Sequence, residues 1–579
     1  MSFGLRSFFL DLRKKRIIEI LAAFIGGGWL ILEFVHWLLV DHYHFPEKTI
    51  DITFITILGT LLCTLIWRWF SGREKLRKFK LELVLMPLVV LVVVILDIIL
   101  LLHLKIPESE TFPAPKWRNS IAVLPFDNIS PEQGQDYFCD GLTDELITKL
   151  SNIKDLKVIA KTSAFSFKGK EIDIRDIGKK LNVATVLEGG VRKAGNKLRI
   201  TAQLINVADA SHLWSDTYDR EITDIFAIQE GIALAVAQKL KFILLSEEKA
   251  KLTKRSTENL EAYNLYLLGK YFEYKLGEEN FKKAVGYFEQ AIAKDPRYAL
   301  AYVDLAHCYR MLCQEGYMAR KEGYPKAKAA AMKAIELDDS LGEAHGAFGL
   351  IKLILDWDVP GANAEFQRAM QLSPDSMDLK LRYPLYLVLT GRSDEAIAEY
   401  KRALELDPAT PVTSYLLGSN GYSLAGRYEE AIAQLEKALS FDPDYFYAQI
   451  ELAVNYAHIG KCSEAINQAD KTVTSQKPIE DPFLLAQLGW VYAVAGKQEI
   501  ARKFLKILID LREKRNVGAS LIADIYAGLG EKDKAFEWLT RAYDEHDCTI
   551  VWLKVNQLLK NLHSDPRYNE LLKKMGLEK

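Results

Sequence analysis

The chain has 579 residues, a formal net charge of −2, 26% charged residues and 49% hydrophobic residues. That length predicts two to four domains, and the balanced charge gives no global field to steer nucleic acid or an acidic substrate. Six cysteines occur without any CxxC spacing, so no disulfide framework is legible.

Most of the hydrophobic excess lies in the first 104 residues. Three apolar runs, about 17–40, 52–70 and 81–104, each match the roughly 20 residues of a bilayer-spanning helix. The first is too long for a cleavable signal peptide, and no small-residue cleavage site follows it. Arg6, Arg13, Lys14, Lys15 and Arg16 precede it, and Arg73, Lys75, Arg77, Lys78 and Lys80 crowd the second loop, whereas the first loop holds only Lys48. The positive-inside rule then places the N-terminus and second loop in the cytoplasm and residues 105–579 outside, which in a bacterium is the periplasm. The expectation is a multi-pass inner-membrane protein with the lipid bilayer as one partner. Glu33, His36 and Asp97 fall within these runs, either near the outer interface or as functional charges. Gly26, Gly27 and Gly28 would let helices approach closely, among the spans or in a homo-oligomer.

Residues 105–119, with three prolines and no apolar period, read as a linker. From 120 the pattern becomes β-α-β-α-β-β-β-α, beginning with "SIAVLPF" and closing with "DIFAIQEGIALAVAQKLKFIL". This order implies a small α+β domain, a mixed sheet covered by helices. The segments "IAVLPFDN", "YFCDGLTDELITKLS", "LKVIAKTSAFSFKGK", "DIRDIGKKLNVATVLEGGVRK" and "LRITAQLINVADASHLWSDTYDR" resemble the TolB amino-terminal-like domain, over about 120–245. That resemblance implies a module set before tetratricopeptide arrays in bacterial membrane and signalling proteins.

Asp127, Asp140, Asp144 and Glu145 form a nominal carboxylate cluster, but without a histidine or metal-ligand spacing they read as complements of a helix dipole. Ser151 and Lys154 fit S-x-x-K without the companion motifs. Gly189-Gly190 and Lys168-Gly169-Lys170 match neither a Walker loop nor GxGxxG, and Trp214 reads as a core residue of a strand. No catalytic, cofactor-binding or metal residue is assigned, and an enzyme is not expected.

From about 258 a period near 34 residues takes over. Ala431, Leu435, Ala438 and Pro443 return as Ala284, Phe288, Ala291, Pro296, as Ala362, Phe366, Ala369, Pro374, and as Ala396, Tyr400, Ala403, Pro408. Gly391, Gly426, Gly460, Gly496 and Gly530 stand four or five residues before the first alanine. Antiparallel helices approach closely only where side chains are small, and proline ends the second helix. This is the tetratricopeptide signature, in about eight copies over 258–543, followed by a capping helix pair over 544–579. The whole is therefore expected to be multi-domain: three transmembrane helices, a small α+β domain and an all-α tetratricopeptide superhelix. The expected function is a membrane-anchored interaction scaffold with protein or peptide partners in the repeat groove and no nucleic acid. The alternative is a membrane sensor or signalling component.

Overall fold

The computed structural model describes residue 33, a few helical positions between 54 and 65, and residues 118–577 except 132–133, 475–478 and 480. The chain divides into two compact units, residues 1–113 and 114–579.

Six strands form one sheet: β1 (Ser120–Val123), β2 (Asp127–Asn128), β3 (Lys157–Val158), β4 (Thr185–Ala194), β5 (Lys197–Asn206) and β6 (His212–Glu221). Their order is β3-β1-β4-β5-β6, with β2 pairing β4. The pairs among β1, β2, β3 and β4 are parallel, and β4-β5-β6 is an antiparallel meander turned at Gly195, whose φ is +59°. Alternation splits β1 between two layers. Ile121 and Val123 join Phe138, Leu142, Leu146 and Leu150 of α1 (Asp136–Leu150) on one face. Ala122 and Leu124 join Ile177 and Leu181 of α3 (Ile174–Leu181) on the other, and the short α2 (Lys161–Phe165) precedes α3 in the chain. Helices α4 (Ile225–Lys239) and α5 (Ser246–Thr253) complete the domain.

The rest is helix pairs: α6 (Leu260–Glu273) and α7 (Glu278–Lys294), α8 (Ala299–Gln314) and α9 (Arg320–Leu337), α10 (Gly342–Ile351) and α11 (Val359–Leu372), α12 (Met377–Leu389) and α13 (Ser393–Leu406). They continue as α14 (Pro411–Leu416) and α15 (Tyr428–Phe441), α16 (Phe446–His458) and α17 (Cys462–Thr474), α18 (Pro482–Val494) and α19 (Gln498–Lys514), α20 (Ala519–Gly528) and α21 (Lys532–Asp544). Ala284, Ala362, Ala396, Ala431, Ala465, Ala501 and Ala535 are all fully buried, as the close helix contacts require. Gly391, Gly426, Gly460, Gly496 and Gly530 turn each first helix into its second with φ between +75° and +86°, a region costly for any residue with a Cβ.

The domain and the array share a core. A Cβ on Gly141 of α1 would lie 2.6 Å from Leu267 of α6, so these helices touch backbone to side chain. Farther along, the loop after α13 reaches the domain again. Asp407 is buried and accepts from Thr162 Oγ1 (2.7 Å), Ser163 Oγ (2.6 Å), Thr410 Oγ1 (2.8 Å) and Thr413 Oγ1 (2.5 Å). The Ala160 amide donates to Leu406 O alongside, at 2.8 Å.

Two 3-10 turns, 548–552 and 557–562, and α22 (Pro566–Lys574) end the chain. They form a strap across the turns of the pairs. His546 Nε2 donates to Leu355 O (2.8 Å), Lys554 Nζ to Thr390 O (3.2 Å) and Gln557 Nε2 to Leu424 O (3.0 Å). Trp490 Nε1 donates to Leu558 O (2.9 Å), and Asn561 Nδ2 to Ala527 O (2.8 Å). Val551 and Val555 bury themselves against Leu353, Tyr386 and Val388. The superhelix also returns to its own second pair. Arg320 Nη2 of α9 lies 2.9 Å from Asp547 Oδ1, and the Asn516 amide donates to Gly316 O at 3.4 Å.

The expectation of three transmembrane helices is corrected. The described molecule is mostly helical, with a tetratricopeptide-like superhelix and a small mixed-sheet domain, and among the described residues no helix is long and apolar enough to cross a membrane. The most apolar of the helices described above, α18, has 13 residues, short of the roughly 20 that a span needs, and buries its apolar surface against its neighbours. The multi-pass inner-membrane localisation, with residues 105–579 periplasmic, falls with it, as does the bilayer partner. Apart from the few helical positions, runs 17–40, 52–70 and 81–104 lie outside the described residues, as do His36, Asp97 and most of 105–119. Glu33 is helical and exposed.

Candidate functional site

The acidic residues singled out in the sequence do not converge. Asp127 is exposed in β2, Asp140 meets Lys168 Nζ at 2.5 Å, and Asp144 meets Lys161 Nζ at 2.9 Å. Burial raises the Glu145 carboxyl to about 7. Ser151 Oγ donates to Thr148 O at 2.8 Å, and the Lys154 amide donates to Glu248 Oε1 at 2.8 Å, so the S-x-x-K pair serves local chain ends. A Cβ on Gly189 would sit 2.1 Å from Thr201 O, so that glycine lets strands and Phe126 pack. Gly190 pairs with Asp127 in the sheet, and Gly169 turns the chain at φ +71°. Trp214 is half-buried against the domain core.

Polar side chains gather instead on the first helices of the pairs, which pack against one another as the inner layer of the array. Arg310 Nη2 of α8 and Arg382 Nη2 of α12 both donate to His307 Nδ1, at 3.3 and 3.4 Å. That nitrogen therefore carries no proton, and burial together with both guanidinium groups and Lys270 holds the imidazole well below its ordinary range. His307 Nε2 lies 3.7 Å from Glu273 Oε1, and Lys270 Nζ bridges Glu273 (2.7 Å) and Asp304 (3.2 Å). Burial lifts the Glu273 carboxyl to about 7.

Further along, Asp481 caps α18 by accepting from the Phe483 amide at 2.8 Å. Burial first and Asp481 second push the Glu315 carboxyl up to about 8. Gln487 Nε2 donates to Glu451 Oε2 at 2.6 Å. Buried atoms of this layer without a hydrogen-bond partner include Arg310 Nε, Asp378 Oδ2, Ser414 Oγ and Asn455 Oδ1. Buried polar atoms are rarely left unpaired, so this face is suited to a ligand that brings both donors and acceptors. Sequence reasoning missed these residues because the repeat template marks only the scaffold positions.

Helix pairs joined through positive-φ glycines and packed on buried alanines define a tetratricopeptide array, and the tetratricopeptide fold is that of a protein-interaction scaffold. The tetratricopeptide repeat family model matches residues 385–410 and 415–445. The domain before it is matched, over residues 117–233, by the model of the HilA/YgeH-like transcriptional regulator, second domain. The TolB-like assignment of that stretch rests on the sequence resemblance alone. Curated relatives include "Putative adenylate cyclase 3" of Rhizobium meliloti, 35% identical over 239 residues, 41% of this chain and 40% of that protein. "Transcriptional regulator HilA" of Salmonella typhimurium is 28% identical over 256 residues, 44% of this chain and 40% of that one. The chain thus spans about two fifths of the length of these relatives. Among solved structures, YrrB, titled a TPR protein with an unusual peptide-binding site, is 23% identical and covers 33% of this chain and 92% of its own, with a TM-score of 0.24.

Proposed function

We propose that residues 118–577 act as a binding module whose inner helical layer holds a peptide or protein segment. The observation that carries this reading is the row of buried, unpartnered polar atoms on α8, α12, α14 and α16. The α+β domain, docked through Gly141 and Asp407, serves as a fixed second surface of the same module. A second reading, a regulatory component of a signalling chain, is favoured by the names of the two relatives, a transcriptional regulator and a cyclase. The two are compatible: a module that binds a partner can report that binding to another part of a signalling chain. A nucleic-acid partner is disfavoured by composition alone.

The test is site-specific photocrosslinking in cells, with the crosslinker at Tyr447, on the inner layer, or at exposed Lys437 of α15. One protein captured from position 447 and absent from 437 supports the reading. Equal capture at both positions, or none at 447, overturns it.

A further inference from the structure

The sheet ends at β6, and among the described residues no strand pairs the far side of that strand. β6 runs for ten residues, contains neither lysine nor proline, and is exposed except at the half-buried Trp214 and Tyr218. Open edges are usually short, or blocked by lysine, proline or a bulge. The register shift in this strand lies at the Leu204/Ile205 end, which leaves 215–221 straight.

The pairing with β5 fixes what the edge offers. The Ile222 amide donates to Asn196 O at 3.0 Å, and Glu221 stands opposite Lys197. Successive residues of an antiparallel strand bond to opposite sides, so Trp214, Asp216, Tyr218 and Arg220 bond toward β5. Ser215, Thr217, Asp219 and Glu221 turn their N–H and C=O groups outward. Charged side chains cover two of these groups in the single chain. Asp216 Oδ1 accepts from the Thr217 amide at 2.8 Å, and Arg220 Nη1 donates to Asp219 O at 3.4 Å. The two covering side chains carry opposite charges and share one face of the sheet.

That arrangement selects a partner strand. Two copies of β6 running antiparallel about a two-fold axis bring one residue opposite itself. An axis at Asp216, Asp219 or Arg220 sets like charges face to face, and an axis at Thr217 sets Asp216 opposite Tyr218 and Arg220 opposite Trp214. Only an axis at Tyr218 sets Asp216 opposite Arg220, and it does so on both sides. The same register sets Thr217 opposite Asp219 and Ser215 opposite Glu221, so every outward N–H and C=O from 215 to 221 gains a mate.

We propose that β6 is a self-association edge, pairing antiparallel with β6 of a second copy of this chain about an axis at Tyr218 and joining the two sheets into one. This surface lies on the α+β domain and does not depend on what the inner helical layer binds. On association Asp216 and Arg220 exchange their own backbone for each other, and the ladder replaces the contacts they give up.

The experiment is sedimentation equilibrium of the full chain over a range of concentrations, where a reversible monomer–dimer equilibrium is expected. Thr217→Pro removes an outward N–H and no bond to β5, and should raise the dissociation constant about tenfold or more. Arg220→Asp and Asp216→Arg each set like charges opposite one another and should each be monomeric. Mixed in equal amounts, these two variants should dimerise again, because every Asp then faces an Arg. That recovery also shows that both variants are folded. A wild-type chain that stays monomeric, a dimer that survives Thr217→Pro or Arg220→Asp, a mixture that stays monomeric, or assembly that continues past the dimer would each overturn the proposal.

Discussion

Trp357 and His546 stack ring on ring, with centroids 3.9 Å apart and planes 19° from parallel, although 189 positions of chain separate them. Both hold left-handed backbone, φ +51° and +54°, a conformation unusual for large side chains. The strap begins at this contact. Two strained turns are held against each other, one after α10 and one after α21, and neither has a glycine to relieve it.

The ion pair beside that contact should be the costliest to break. Asp547 is completely buried and Arg320 nearly so, with 13% of its side chain exposed. Asp547→Ala strands the guanidinium and should cost about 3 kcal/mol or more in urea unfolding. The double change with Arg320→Met should cost less than the two single changes summed. Additive losses would mean that the pair carries no coupling.

The interdomain contact at Asp407 makes a separate prediction. Asp407→Ala leaves the hydroxyls of Thr162, Ser163, Thr410 and Thr413 without their acceptor. Hydrogen exchange at the Ala160 and Ala409 amides, which donate to Leu406 O and Ser163 Oγ, should speed up while amides in α18 stay protected. Unchanged exchange at both amides would show that the dock holds without the carboxylate.

Repeat packing can be probed in two independent ways. Ala431→Trp forces a large ring into a fully buried contact and should cost about 1–3 kcal/mol or more in thermal melts. Gly460 has φ +77° and open space around a Cβ, so Gly460→Ala tests backbone strain alone, at about 1 kcal/mol.

The pH dependence follows from Asp524 of α20. Burial raises its carboxyl to about 8, Asp547 adds to the rise, and the Asn556 amide, donating at 2.8 Å, opposes it. The folded chain therefore keeps this proton where the unfolded chain, with an ordinary carboxyl near 4, has lost it. Its contribution to stability is complete below about 4 and is lost as pH rises toward 8, by at most about 1.4 kcal/mol per unit. Asp524→Asn keeps the hydrogen-bond acceptor and removes the titration. Its urea midpoint should fall less than the wild-type midpoint between pH 5 and pH 8; parallel falls would exclude Asp524 as a source.

The repeat scaffold was readable because its constraints are local. Ala431, Leu435 and Ala438 lie within two turns of one helix, and Gly426 is a turn away. The inner layer was not, since His307 and Arg382 meet across 75 positions and the template leaves their sites free. Asp407 was masked by its own repetition: it stands before Pro408 as Asp295 does before Pro296 and Asp442 before Pro443, and reads as an ordinary helix end. The apolar runs at 17–40, 52–70 and 81–104 show the reverse hazard, where hydropathy suggests an architecture that no described helix provides.

The meeting of Gly316 with Asn516 changes how such an array comes apart. An open solenoid contacts only its neighbours, so it frays from either end and its stability grows one unit at a time. Here the last pairs are tied to the second, and the strap is hydrogen-bonded to five pairs. Loss of one end frees surfaces at the other. The array then melts as one body, with a single sharp transition in place of a staircase, and a short C-terminal truncation is felt in helices two hundred residues upstream.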